Sequence, residues 1–261
     1  MGLKARLDRI PRRKVPGAGI NYIPSGKYLK MVTFGFSGVM ADVIYLWAIQ
    51  YYGNTDVPDR YEHLDHVFSI ISELDPGYID PYVIGALIAV EDTRDIPLAL
   101  KILDLGLARN PGQWIFPLEA GHYAQLYLKD YALAKSYYGK TMAIPGAPPI
   151  ARRLFAATAF KANDLATAWE TWLEVARTAV DPQIRQIASN HLYQVKATID
   201  GRAVGEAVDR FRAERGRNPV ALEELVRAGL LARVPKDFDD KDYLYDPATG
   251  RIRTQAALWK R

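Results

Sequence analysis

Gly121-His122-Tyr123-Ala124-Gln125-Leu126-Tyr127-Leu128-Lys129-Asp130-Tyr131-Ala132-Leu133-Ala134, running on to Tyr137-Tyr138, decides the fold of this chain. Three of its positions recur. Asp95, Asp130 and Asp164 are spaced by 35 and 34 residues. Ala99, Ala134 and Ala168 each follow their Asp by four, and Leu103, Tyr138 and Trp172 follow by another four. Upstream, Pro76, Pro111 and Pro145 keep the same 35 and 34 spacing. The turns Asp75-Pro76, Asn110-Pro111, Pro145-Gly146 and Asp181-Pro182 punctuate the units, because proline cannot continue a helix. A period of this length reads as a pair of antiparallel helices. The Asp sits at the turn and caps the second helix, and the Ala lets that helix approach the first closely. The large residue one turn further on packs from the same face. One pair cannot bury its apolar face alone, so neighbours stack.

The quoted stretch resembles the tetratricopeptide repeat (TPR) family. It departs from that pattern at the usual small residue of the first helix, where His122 or its neighbour Gly121 must serve. The resemblance covers roughly 36–182. A degenerate first unit pairs helix 36–52 with helix 59–74 across a long turn from Gly53 to Pro58. A second unit spans about 80–113, the quoted unit is the third, and a fourth spans about 149–182. The resemblance implies a mainly α fold, a TPR-like α-solenoid of about four helix pairs. In such a solenoid the first helix of each pair lines a concave groove. Mapping unit by unit puts Trp47, Tyr51, Ile84, Ile88, Tyr123, Tyr127, Arg153 and Lys161 on that wall as partner-binding residues. Tyr and Trp supply the large amphipathic contact area of binding surfaces, although the same side chains also pack helix against helix.

After Asp181-Pro182 the period stops. A helix over about 182–199 is expected to cap the solenoid, with Arg185, Gln186, Gln194 and Lys196 on its outer face. Gly201 and Gly205 weaken the join to a further helix at about 203–215. A Gly216-Arg217-Asn218-Pro219 break ends that helix, and a short helix at 220–228 follows. Asp246-Pro247-Ala248-Thr249-Gly250 between apolar flanks reads as a hairpin turn, with Pro fixing φ and Gly taking φ > 0. The segment 203–254 resembles the C-terminal part of type II secretion major pseudopilins. There a helix, a Gly-Arg-x-Pro break, a Pro-Lys-Asp and a Tyr-x-Tyr-Asp-Pro-x-Thr-Gly hairpin occur in this order. The long apolar pilin helix is absent, so the resemblance implies a small helix-plus-hairpin module and not fibre assembly.

Charge is concentrated at the start. The chain has 261 residues, 34 Lys+Arg against 30 Asp+Glu, and a formal net charge of +4. Lys4, Arg6, Arg9, Arg12, Arg13 and Lys14 face only Asp8 within the first 14 residues, a net of +5, so the rest of the chain is close to neutral. A body without net basic charge argues against nucleic acid as a partner. The arm suits an anionic membrane face or an acidic neighbour, at about 1 kcal/mol per basic residue on anionic lipid. It equally suits a solvated tail. Phe34 to Gly53 is the one stretch to weigh as a membrane span. Asp42 near its middle costs about 2.5–3.5 kcal/mol there, and Gly35, Ser37 and Gly38 dilute it. Pro16, Gly17, Gly19, Pro24 and Gly26 separate the basic residues from that stretch, unlike a signal peptide. The expected organisation is a basic Pro/Gly-rich arm at 1–35, a helical solenoid with its cap at 36–200, and an α+β tail at 201–261.

Chemistry is sparse. With 49% apolar residues and no cysteine, disorder, disulfide scaffolds and thiolate zinc sites are excluded. His63 and His66, with Glu62 nearby, have possible metal spacing, but a surface pair is the simpler reading. His122 falls at a packing position. Asp237, Asp239, Asp240 and Asp242 form the only acidic cluster. The pseudopilin resemblance implies calcium there, yet Lys241 interrupts the cluster and the Gly of a tight calcium loop is missing, which favours a solvated turn. No phosphate loop, nucleophile elbow or zinc-helix motif occurs, and no catalytic residue, metal or cofactor is expected. These features point to a non-catalytic protein-interaction scaffold or accessory subunit of a bacterial envelope-associated complex, at the inner membrane face on either side. A permanent structural subunit of a larger membrane complex is the alternative, and an enzyme has the weakest support.

Overall fold

A computed structural model describes residues 23–57 and 59–255. Among these residues eleven α-helices and one two-stranded sheet form, so the protein is mainly α. The chain divides into two compact units, one up to Leu128 and one from Lys129.

The three repeated Asp residues share one local geometry. Asp95, Asp130 and Asp164 are helix N-caps whose carboxylates accept from the backbone N–H of Leu98 (2.9 Å), Leu133 (2.9 Å) and Thr167 (3.2 Å). The residue before each, Arg94, Lys129 and Asn163, has positive φ of 58°, 56° and 67°. Two of these Asp residues also close the helix before them. The Asp95 and Asp164 N–H groups donate back to Ala89 O (2.8 Å) and Ala159 O (2.9 Å). Four residues on, Ala99, Ala134 and Ala168 are fully buried, and Leu103, Tyr138 and Trp172 are buried beyond them.

The first unit holds α1 (Gly26–Val32), α2 (Ser37–Gly53), α3 (Leu64–Leu74), α4 (Ile79–Glu91), α5 (Ile96–Arg109) and α6 (Ile115–Tyr123). A π-helical turn, Ala124–Leu128, continues α6. Aromatic rings seated on glycines tie the helices together. Tyr52 of α2 stacks on Phe68 of α3 at 5.9 Å. Phe68 lies against Gly85 of α4, where an added Cβ would stand 2.9 Å from the ring. Phe116 of α6 meets Tyr82 of α4 edge-on at 5.5 Å and covers Gly106 of α5 as closely. Gly121 is buried and His122 half-buried. Helix α1 lies inside the stretch expected to be an arm, and its Lys27 N–H donates to Glu73 of α3 at 2.8 Å.

The second unit holds α7 (Tyr131–Ala143), α8 (Ile150–Lys161), α9 (Leu165–Thr178), α10 (Pro182–Arg215), α11 (Leu222–Arg227) and the strands β1 (Leu244–Asp246) and β2 (Arg251–Arg253). Helices α7 to α10 pack in chain order. Trp172, Ala188, Leu192 and Val195 centre one core, and Phe238 of the tail packs on it. Val204, Val208, Phe211, Leu222 and Leu225 form a second core. The antiparallel hairpin pairs Tyr245 with Ile252, and both lie against that second core.

The cap and the tail helix are one element. Helix α10 runs 34 residues without a break, so the expected interruption at Gly201 and Gly205, and the expected boundary at 200/201, fall inside it. Each glycine costs a helix about 1 kcal/mol. The two cores gripping its two halves outweigh that. An Ala at 201 would meet nothing within 4 Å.

Two stability measurements follow. Ala134→Trp overpacks a fully buried site and is expected to lower stability by about 3 kcal/mol or more in thermal melts; an unchanged melt would remove Ala134 from a close-approach position. Gly201→Ala is expected to raise stability by about 0.5–1 kcal/mol, because the helix continues through an open site.

Candidate functional site

At one end of the second unit, α7 ends, α8 begins, α9 ends and α10 begins. Proline sets both connections. Pro145, Pro148 and Pro149 shape the α7–α8 turn, and Asp181-Pro182 starts α10 with Asp181 accepting from Gln183 N–H at 2.8 Å. Between them lies a cleft of about 530 Å³. Met142, Pro148, Val175, Val180 and Ile184 give it apolar walls. Val180 is 91% exposed.

Most polar groups around the cleft are already engaged. Arg152 pairs with Glu174 at 2.6 Å. Arg185 donates to Ala179 O and Val180 O, both at 2.9 Å, and so holds the α9–α10 turn. Arg153 differs. It lines the cleft, is half-buried, and has no ion-pair or hydrogen-bond partner among the described residues. Helix α8 starts beside it at Pro149 with no side-chain cap, so its dipole adds positive potential there. The arrangement suits a carboxylate flanked by apolar groups.

The expected groove residues fall in both units, six in the first and two in the second. Trp47 stacks on Tyr51 at 5.1 Å on α2, and Trp47 also lines an open apolar hollow with Met40 and Val43. Ile84 and Ile88 are half-buried on α4. Tyr123 is 6% exposed and packed edge-on against Tyr127. Burial and the Glu119 charge push its hydroxyl pKa well up. Tyr127 is exposed and donates to Glu91. In the second unit Arg153 joins the cleft, whereas Lys161 stands over the Tyr131 ring at 5.2 Å, about 12 Å further along α8. Sequence reasoning missed the cleft's apolar walls; the proline-rich turn 145–149 was the available signal.

The other candidates resolve as follows. The basic residues Lys4, Arg6, Arg9, Arg12, Arg13 and Lys14 lie outside the described residues. His66 has a ring nitrogen 3.1 Å from Ile23 O, and His63 precedes α3 as its N-cap residue. His122 lies 3.6 Å from Glu119. His191 stacks on Trp172 at 4.1 Å, and burial lowers its pKa. Among the described residues no three His, Asp or Glu side chains are grouped to hold a metal ion.

The acidic cluster at 237–242 is arranged around a turn. Asp237 is buried and accepts from Tyr193 O–H (2.7 Å) and from the N–H groups of Asp239 and Lys241 (both 2.9 Å). Its oxygens therefore shape the turn, and Asp239, Asp240 and Asp242 are exposed around it. Tyr243 O–H similarly donates to Asp200 at 2.7 Å, which Lys196 pairs at 2.8 Å.

No protein-family model matches the chain, and no curated protein matches it either.

Burial raises the Asp237 pKa, but the hydrogen bonds from Tyr193, Lys241 and Asp239 outweigh it and the net shift is downward. A depressed folded pKa gives stability that is present above the unfolded value and lost as pH falls through the folded one. Melting temperature is therefore expected to fall below about pH 4. Asp237→Asn, which keeps an acceptor and loses the charge, is expected to flatten that dependence in melts taken across the acid range.

Proposed function

We propose that the protein is a non-catalytic interaction scaffold, an accessory subunit that holds a segment of a partner protein in the proline-edged cleft of its second unit. The observation that carries this reading is Arg153, an unpaired guanidinium half-buried in apolar walls. A partner segment with one carboxylate between apolar side chains would give it a charge-assisted hydrogen bond and cover Val180. The cleft's volume lies within the ~300–1,000 Å³ of ligand pockets. The repeated Asp-capped turns and buried Ala residues support a TPR-like arrangement of helix pairs, and the tail's resemblance to pseudopilins supports a place in bacterial envelope machinery. Both are part of the proposal, since fold alone does not fix function.

Affinity purification of the full chain from its native soluble and membrane fractions, beside an Arg153→Glu variant, tests the reading. The wild type is expected to recover a defined partner. The variant is expected to lose it by about tenfold or more, the effect of removing one charged hydrogen bond, with its melting unchanged. Recovery of no partner in either fraction, or equal recovery by both proteins, would overturn it.

A further inference from the structure

Helix α2 is apolar on two opposite sides. Ala41, Ile44, Ala48 and Tyr52 are buried on one side, and α2 packs on α3. Val39, Val43 and Leu46, at positions i, i+4 and i+7, occupy the other and are 59%, 57% and 61% exposed. The adjoining turn and α1 carry further exposed apolar side chains, with Phe34 at 89%, Phe36 at 71% and Met31 at 64%, and Leu29 of α1 shares an open hollow with Met40 and Val43 of α2. A surface helix of a globular unit carries polar residues outward. Exposed apolar side chains gathered in one stretch of the fold mark an interaction site.

The charge around the face says what covers it. Lys27 and Lys30 are exposed on α1, on the flank of the stripe that bears Tyr28 and Met31. The net +5 of the first 14 residues precedes them in the sequence. Asp42 is the only acidic residue between Asp8 and Asp56, and its charge, near the Tyr78 hydroxyl, helps burial to raise that hydroxyl's pKa. Glu73 and Asp75 of the α3 end lie on the inner side, where the Glu73 carboxylate is engaged by Lys27 N–H. Exposed aromatic and aliphatic side chains with a basic rim are the chemistry of an interfacial anchor on anionic lipid. A second copy seated on the same face would bring two sets of these cations together. None of the described helices is long and apolar enough to cross a membrane.

We propose that α1, the turn at 33–36 and the outer side of α2 form a docking face for an anionic bilayer. Phe34, Phe36 and Met31 enter the headgroup boundary, the outer side of α2 lies along it, and Lys27 and Lys30 meet the lipid phosphates. This inference is independent of the cleft in the second unit.

Co-sedimentation of the full chain with vesicles tests it. Binding to equimolar phosphatidylcholine and phosphatidylglycerol is expected to exceed binding to phosphatidylcholine alone by about tenfold or more. It is expected to weaken in about 1 M salt, where charges are screened within about 3 Å. The double substitution Phe34→Ser with Phe36→Ser, at exposed positions that leave melting unchanged, is expected to reduce binding about tenfold. Lys27→Glu with Lys30→Glu is expected to abolish the preference for phosphatidylglycerol. No binding to the anionic vesicles, or undiminished binding by the Phe34/Phe36 variant, would overturn the proposal. So would a reversible dimer in light scattering that the same variant dissolves while vesicles stay unbound. None of these results bears on Arg153.

Discussion

The helical hairpins depend on a turn in which a left-handed residue is followed by an N-capping aspartate. Arg94, Lys129 and Asn163 are held at positive φ, a conformation that costs a residue with a Cβ about 1–2 kcal/mol. The caps at Asp95, Asp130 and Asp164 return about 1 kcal/mol each. The turn is thus close to neutral by itself. What decides in its favour is the burial it permits. Within each unit it reverses the chain tightly enough for Ala99 and Ala168 to be fully enclosed, and it aims Leu103 and Trp172 into the interior. A fully buried large apolar side chain contributes about 1.5–3 kcal/mol, more than the turn costs.

The long helix α10 applies the same balance at larger scale. Its two glycines and its polar composition would leave an isolated helix marginal. Leu192 and Val195 fix its first half in one core, and Val204, Val208 and Phe211 fix its second half in another. The tail is fastened to it by hydrogen bonds as well as by burial. Tyr193 with Asp237 and Tyr243 with Asp200 pair hydroxyls with carboxylates, and the Tyr193 hydroxyl pKa is pushed up to about 12 by burial and by its bond to Asp237. Cap and tail module are therefore one structural element.

What was legible in the sequence was periodic. Asp95, Asp130, Asp164 and their Ala partners announce themselves by spacing, and the Asp246–Gly250 turn by its residue types. The break at Gly201 was misread because helix propensity is local, whereas the packing that overrides it comes from residues distant in sequence, such as Leu222 and Phe238. Tyr123 and Tyr127 looked equivalent as aromatic residues on one helix face. The chain bends into a π-helical turn just after Tyr123, and only coordinates distinguish the buried ring from the exposed one. Arg153 was expected to face a partner, but the cleft around it depends on the meeting of four helix ends. The two-sided apolar character of α2 is readable in Val39, Val43 and Leu46 opposite Ala41, Ile44 and Ala48.

The two kinds of turn also explain why the cleft lies at one end of the second unit. An antiparallel order places the α8–α9 turn at one end and the α7–α8 and α9–α10 turns at the other. At the first end Asp164 spends its carboxylate on Thr167 N–H and on Lys135, 2.7 Å away, so its hydrogen-bonding groups are used internally. At the other end prolines supply no N–H, present apolar rings and fix φ, while Asp181 and Arg185 engage the backbone of the α9–α10 turn. That end therefore keeps an apolar concavity and leaves Arg153 unspent. Rigid, proline-set edges also reduce the ordering cost of binding. The asymmetry is already present in the sequence, where the aspartate turns at 95, 130 and 164 alternate with the proline turns at 111, 145 and 182.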